Sequence, residues 1–527
     1  MATLPGYTGD FDRAAAWHLL RRGTFGARAE QVDQLLRLGL DGALDQLFTP
    51  DHPLRPPINY DEERDPNVPV GETWVSAPYV AGVPVNNARI RSIRVWLFEN
   101  FLRAGTSLER RMMLFFVNHF GAERLSDTRI AYRYYELMRA GWRMRLPDLV
   151  KAVTVEPMML FFLDGRTSKA TSPNENYARE LLELFTVGKG PQVGPGDYTH
   201  YTETDVREIA RALTGWRTRY TGSEDATLQP EAYFDERWHD TGVKRLSPRL
   251  GGAIVEDAGA EEYARVVDMI FEQPSAGVYF CRKLYRWFCH YDVTEAVERE
   301  VIAPMAEAFR AADYEIAAPL RLLLRSAHFF EARFRGALVK SPLEEVIDHT
   351  VALGMPIPTD LADEYWTLLR LNGMCEQQEM RLTVPPSVAG YKPYYQAPLY
   401  NRFWINAATL QFRTAYVRSG LYFGYRRQGA VVTAVDLLDY VASFAEPADA
   451  DALVREVAER LLPVPLTEAQ YDALKAVLIP GLPDFEWTVE YGKHLDAPDD
   501  DGLRMAVLQR LRDLFYAVAS SAEYHLF

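Results

Sequence analysis

The sequence predicts a mainly α, multi-helical globular protein with at most a small β element near residues 228–255. Three observations predict it. Apolar residues recur with the helical period at short intervals along most of the chain. Only residues 228–255, with Tyr233 and Phe234, read as strand or extended chain. Hydrophobic residues make up 48% and charged residues 25% of the total, an ordinary globular balance. At 527 residues the chain is longer than the ~250–300 at which a single core stops growing. Residues 1–355 read as a motif-bearing helical core, and residues 356–527 as a helical layer packed on it.

Taken in order, residues 10–48 read as short helices that end at Pro50. Residues 49–87 are rich in Pro, Asp and Asn and lack a sustained period, so they predict a long surface loop, either a lid or a packing strap. Helices resume at 88–104, 107–120 and 126–143, with short ones to 163. Within 107–120, Leu108, Met112, Phe115 and His119 fall at i, i+4, i+7 and i+11, so His119 points inward with the apolar side chains. Such a histidine is either a core residue satisfied by one polar partner or a ligand or general base.

The stretch Pro173–Gly188 is the most informative in the chain. Asn174 can cap a helix, Gly188 can end it, and Tyr177, Leu181, Leu184 and Phe185 supply an anchoring stripe. Asn176, Glu180 and Glu183 share one face, with Arg179 beside them. Paired carboxylates on a rigid helix suit acid/base or metal chemistry, and they equally suit a solvated face with i, i+4 ion pairs. In the next helix, near 204–213, Asp205 reads as an N-cap with Glu208 as its capping-box partner, or as a substrate contact. The helix ends at Gly215. Beyond it, His239, Asp240 and Lys244 bring an imidazole, a carboxylate and an amine to one glycine-containing turn. Helices continue over 259–353. Residues 373–400 hold Pro385, Pro386, Pro393 and Pro398 and read as extended or looped, and helices return over 401–527.

Composition narrows the function classes. A net charge of −15 disfavours nucleic acid as the main partner, because that affinity comes from Lys and Arg displacing counterions. No run approaches the ~18 apolar residues of a membrane span. The first residues carry neither a basic nor an apolar leader region, which reads as cytoplasmic. Cys281, Cys289 and Cys375 have no metal-type spacing and do not predict a disulfide scaffold. No nucleotide or flavin motif, His-Glu-x-x-His zinc motif or nucleophile elbow is present.

Several segments together resemble the large bacterial family catalogued as domain of unknown function 1800. They are Trp17 to Gly26, Phe116-Val117-Asn118-His119-Phe120, Asn174 to Gly188, Thr204-Asp205-Val206 with Leu213 to Trp216, His239-Asp240 with Lys244, Val339 to Pro342, and Pro385 to Gly390. Two positions depart from the family pattern: Val117 stands in place of a histidine and Tyr391 in place of a tryptophan. Many related sequences look exported. The resemblance implies that the polar motifs serve one site.

The expectation is therefore an enzyme with a buried His/carboxylate/Arg site that activates water or a substrate oxygen with a divalent metal, zinc, iron or manganese. Glu180, Glu183, His239 and Asp240 are the expected catalytic groups. Asn176, Arg179, Lys244 and Asp205 are the expected substrate contacts, and His119, Glu180, Glu183 and His239 the expected ligands. The substrate is expected to be small and polar or saccharide-like. Two other readings stay open: a metal-free glycosidase-like enzyme using the Glu pair, and a non-catalytic polysaccharide-binding or assembly protein.

Overall fold

A computed structural model describes residues 4–123 and 126–527. Helix accounts for 56% of the chain, and strands together with isolated β-bridges for 7%. Among the described residues the strands form four two-stranded antiparallel ribbons: 192–194 with 197–198, 216–219 with 231–234, 244–245 with 254–255, and 425–427 with 430–433. The window 228–255 thus holds only part of the β structure. The remaining ribbons are turn-closed loops of two to four residues per strand, too short to leave a period-2 signal.

The helix Glu109–His119 runs through the centre of the molecule, and all of its residues are buried. Burial on every side goes beyond the single stripe read from the sequence, and it forces the helix's charges into pairs. Glu109 meets Arg110 and Arg139, and Arg111 meets Glu344. Beside it lies Pro274–Phe288, which starts with proline at its first position, where the missing N–H costs nothing.

Residues 49–84 form the expected loop, and the loop is a strap. Trp74 is fully buried and donates to Ser92 Oγ at 2.8 Å, while Asp65 and Arg89 form an ion pair closed to solvent. The three cysteines are free and buried.

Later helices pack on the earlier ones. Leu361–Gln377 lies against Val85–Leu102 and Pro342–Ala352. The last residues return to the centre, where Lys340 N donates to His525 O at 2.8 Å and Phe527 N to Leu338 O at 3.0 Å. Buried apolar side chains from Leu4 to Tyr524 make one continuous cluster. Among the described residues, no helix is long and apolar enough to cross a membrane.

Candidate functional site

The buried C-terminal end of Glu109–His119 opens onto a cavity of about 50 Å³. Arg111, Phe115, Asn118 and His119 line one side, and Lys283, Arg286 and Trp287 of the neighbouring helix line another. Glu344 follows the Lys340-Ser341-Pro342 motif, and its carboxylate accepts from Ser341 N in a capping box. Tyr394, Tyr395, Tyr400 and Asn401 close the remaining side. Gly390 makes this closure possible. Its φ is +82°, and a Cβ there would lie 2.2 Å from Asn118 Oδ1, the atom that accepts from Tyr391 N at 2.9 Å.

At the cavity wall His119 and Lys283 touch, with His119 Nδ1 2.9 Å from Lys283 Nζ. His119 Nε2 lies 3.2 Å from the Phe185 carbonyl, which can only accept, so Nε2 carries the proton and Nδ1 accepts from the lysine. Lys283 Nζ also donates to Leu184 O at 2.9 Å. Burial, with the Lys283 charge nearby, holds the His119 pKa well below its ordinary value against the Phe185 hydrogen bond. Burial, with Arg286 adding repulsion, brings the Lys283 ammonium down to about 7. Of the residues that line the cavity, Trp287 Nε1, Arg111 Nε and both amide atoms of Asn401 are buried without a hydrogen-bond partner among the described residues.

The expected ligand set joins His119 to the carboxylates of the helix that carries Glu180 and Glu183. The helix is the right one, but its backbone supplies the contact. Asn174 caps it by accepting from Asn176 N, and Gly188 ends it at φ +73°. From Leu181 to Thr186 the turn widens to a π-helix. Buried pairs then fall every four residues, at 177/178, 181/182 and 185/186. Leu182 is consequently buried and Leu184 only half-buried, a correction to the stripe expected from the α-helical period. The wide turn presents the Leu184 and Phe185 carbonyls to Lys283, Tyr279 and His119.

The carboxylates point elsewhere. Glu183 accepts from Tyr201 at 2.8 Å and lies 3.5 Å from Lys189. Glu180 is half-buried, and burial followed by the Glu183 charge raises its pKa. Arg179 is held bidentately by Glu203 at 2.7 Å, and Asn176 is exposed. Asp205 is fully buried as the third residue of a capping box whose N-cap is Thr202, and it also accepts from Ser247 N and Oγ at 2.6 Å. The expected pairing of Asp205 with Glu208 is thereby corrected: Glu208 bonds Arg211 and Arg245 N instead.

His239, Asp240 and Lys244 do come together, around Glu262. His239 Nδ1 donates to Thr214 O at 2.9 Å, and Nε2 lies 3.1 Å from Glu262 and 3.6 Å from Asp257. Lys244, fully buried, pairs with the other Glu262 oxygen and with Asp240 O. Asp240 is taken up by Arg211 at 2.9 and 3.0 Å. Burial alone would lower the His239 pKa, but the hydrogen bonds to Glu262 and Thr214 outweigh it and hold it above its ordinary value.

Among the described residues, His239, Asp257 and Glu262 are the one group of three or more His, Cys, Asp or Glu whose ligand atoms lie within 4.8 Å of one another. The expected ligand set His119, Glu180, Glu183 and His239 does not assemble. The contacts of His119 run to Lys283 and Phe185, and those of His239 to Thr214, Glu262 and Asp257.

Lys283 and Glu262 were missed from sequence. Lys283 carried a signal: Tyr279, Lys283 and Trp287 fall at i, i+4 and i+8, a lysine on an aromatic line. Glu262 looked like any acid in a helix's first turn.

Fold and pocket together define a multi-helical protein with an internal, aromatic and basic cavity assembled from distant segments. Over residues 18–525 the chain matches the family described as protein of unknown function (DUF1800), and it belongs to that family. No curated protein and no solved structure matches it.

Proposed function

We propose that the chain is an enzyme acting on a small polar, anionic molecule in this cavity, with the Lys283 amine as reacting base or nucleophile and His119 as the group that positions it. The observation that carries this reading is the 2.9 Å Lys283–His119 contact between two residues that line a cavity, whose lining also includes residues with buried polar atoms that lack a partner among the described residues. A lysine is inert while protonated, and burial without a carboxylate partner is the general way to make it reactive near neutral pH. Arg111 is already paired with Glu344, and Arg286 adds positive charge to the lining, so the pocket favours an anion within an acidic protein.

The test is amine modification of the native chain by a limiting acylating reagent at graded pH. Lys283 should react ahead of the surface lysines with a midpoint near 7, and Glu183→Gln should leave that profile unchanged. If Lys283 proves no more reactive than exposed lysines, this reading fails.

A second reading has one observation behind it, the His239–Asp257–Glu262 group. Zinc, iron or manganese bound there could activate water, with the ion taking the Glu262 oxygen that faces His239 while Lys244 holds the other. Elemental analysis of purified protein, with Glu262→Gln as control, tests it: a stoichiometric ion lost in the variant supports this reading, and trace metal unchanged by the variant ends it.

A further inference from the structure

We infer that the cavity takes a small carbonyl compound bearing an anionic group, an aldehyde or keto acid of a few carbons, and that Lys283 Nζ joins its carbonyl carbon as an imine. This rests on the reading of Lys283 as the reacting amine and goes beyond it in naming the substrate class and the bond formed.

The geometry at Nζ favours attack on carbon. A neutral amine has two N–H groups and one lone pair. Both hydrogens have acceptors, Leu184 O and His119 Nδ1, each at 2.9 Å. Neither partner can donate back, because the one proton of His119 is committed to Phe185 O. The remaining tetrahedral position therefore carries the lone pair, on a side chain that lines the cavity.

The lining selects the ligand. Trp287 Nε1 is a donor only, and Asn401 offers both a donor and an acceptor. Both residues are more than nine-tenths buried, with those atoms unpartnered. A carboxylate or carbonyl oxygen that reaches them would satisfy such donors, whereas an apolar ligand would leave them unpaired. Arg286 adds positive charge to the lining, while Arg111 is paired with Glu344. The volume, about 50 Å³, is well below the ~150 Å³ that accommodates benzene, so the reacting end of the ligand has only a few heavy atoms.

The step balances without an oxidant or reductant. The Nζ lone pair forms the C–N bond and the carbonyl π pair moves to oxygen. Both nitrogen protons then leave with that oxygen as water, giving C=N. His119 Nδ1 already accepts one of those protons as a hydrogen bond, and its low basicity lets it pass the proton on.

The experiment incubates the full chain with glyoxylate and cyanoborohydride, which reduces an imine to a stable secondary amine, and maps the modified lysines by peptide mass. Lys283 should be labelled saturably and roughly tenfold more than any other lysine. Acetaldehyde, a carbonyl without charge, should label it roughly tenfold less, and oxalate should protect it in the unaltered chain. Lys283→Arg should abolish the label while circular dichroism stays unchanged, and oxalate protection serves as the check if that variant fails to fold. Labelling spread evenly over surface lysines, or indifferent to oxalate, overturns the inference. If an acylating reagent still singles out Lys283 while glyoxylate does not, only the imine falls; if neither finds Lys283, the enzymatic reading falls with it.

Discussion

Lys244 and Lys283 show what burial does to the same ammonium group in two settings. Lys244 meets a carboxylate, Glu262, inside a closed network with His239. Lys283 meets a carbonyl, an imidazole and the face of the Tyr279 ring, so desolvation, with Arg286 adding repulsion, brings its pKa down to about 7. The His239 pKa is raised on folding, so His239 contributes stability that is fully present below the ordinary value of 6.5 and is lost as pH rises through the raised folded value. Melting temperature followed from about pH 5 to 8 should show this loss in the natural chain and not in His239→Gln. Gly390 offers a second check on a single position. A side chain there meets Asn118 Oδ1 at 2.2 Å in a left-handed backbone, so Gly390→Ala should cost more than ~2 kcal/mol in denaturant unfolding. It should also loosen the pocket, read as slower modification of Lys283.

The helix Glu175–Glu180 and its wide turn Leu181–Thr186 carry the most consequential departure from regular geometry. A plain α-helix would bury Leu184 and free Leu182. The π-turn reverses that preference and aims two carbonyls at the reactive pair. Leu182→Ala should therefore destabilise by ~2–5 kcal/mol, as a fully buried leucine does, and Leu184→Ala by clearly less. A larger loss for Leu184→Ala than for Leu182→Ala in urea titrations would mean that the α-helical register is the true one. The long loop 49–84 shows the opposite relation between pattern and structure. It has no period, yet Trp74 and the Asp65–Arg89 pair tie it into the interior as firmly as a helix.

The later helices complete the first group through buried polar contacts as well as apolar packing. Arg413, on Ala407–Arg418, pairs with Glu345, on Pro342–Ala352, and both are fully buried. Arg413→Met alone leaves a buried carboxylate and should cost ~3–5 kcal/mol, while Arg413→Met with Glu345→Leu should recover most of it. Urea unfolding of the single and double variants checks the pair. If the double variant recovered nothing, the ion pair would be a bystander to the packing there.

Much of this architecture follows from local pattern. Helical periods specify most helices, Asn174 and Gly188 mark both ends of one, and Pro, Asp and Asn mark the long loop, because propensity, capping and turn chemistry act over a few residues. The motifs that identify the family also lie at the sites that matter: Asn118 and His119 at the cavity, His239 and Lys244 around Glu262. Which motif meets which was settled by folding. His119 could pair with any polar group brought to it, and sequence favoured the nearby-looking carboxylates of Glu180 and Glu183. Packing brought a backbone turn and a lysine more than a hundred residues away. Short-range rules name the helices and their caps. The partner of a buried polar group is set by long-range packing, and so the pocket, the depressed amine and the Glu262 network appear only when the chain is folded.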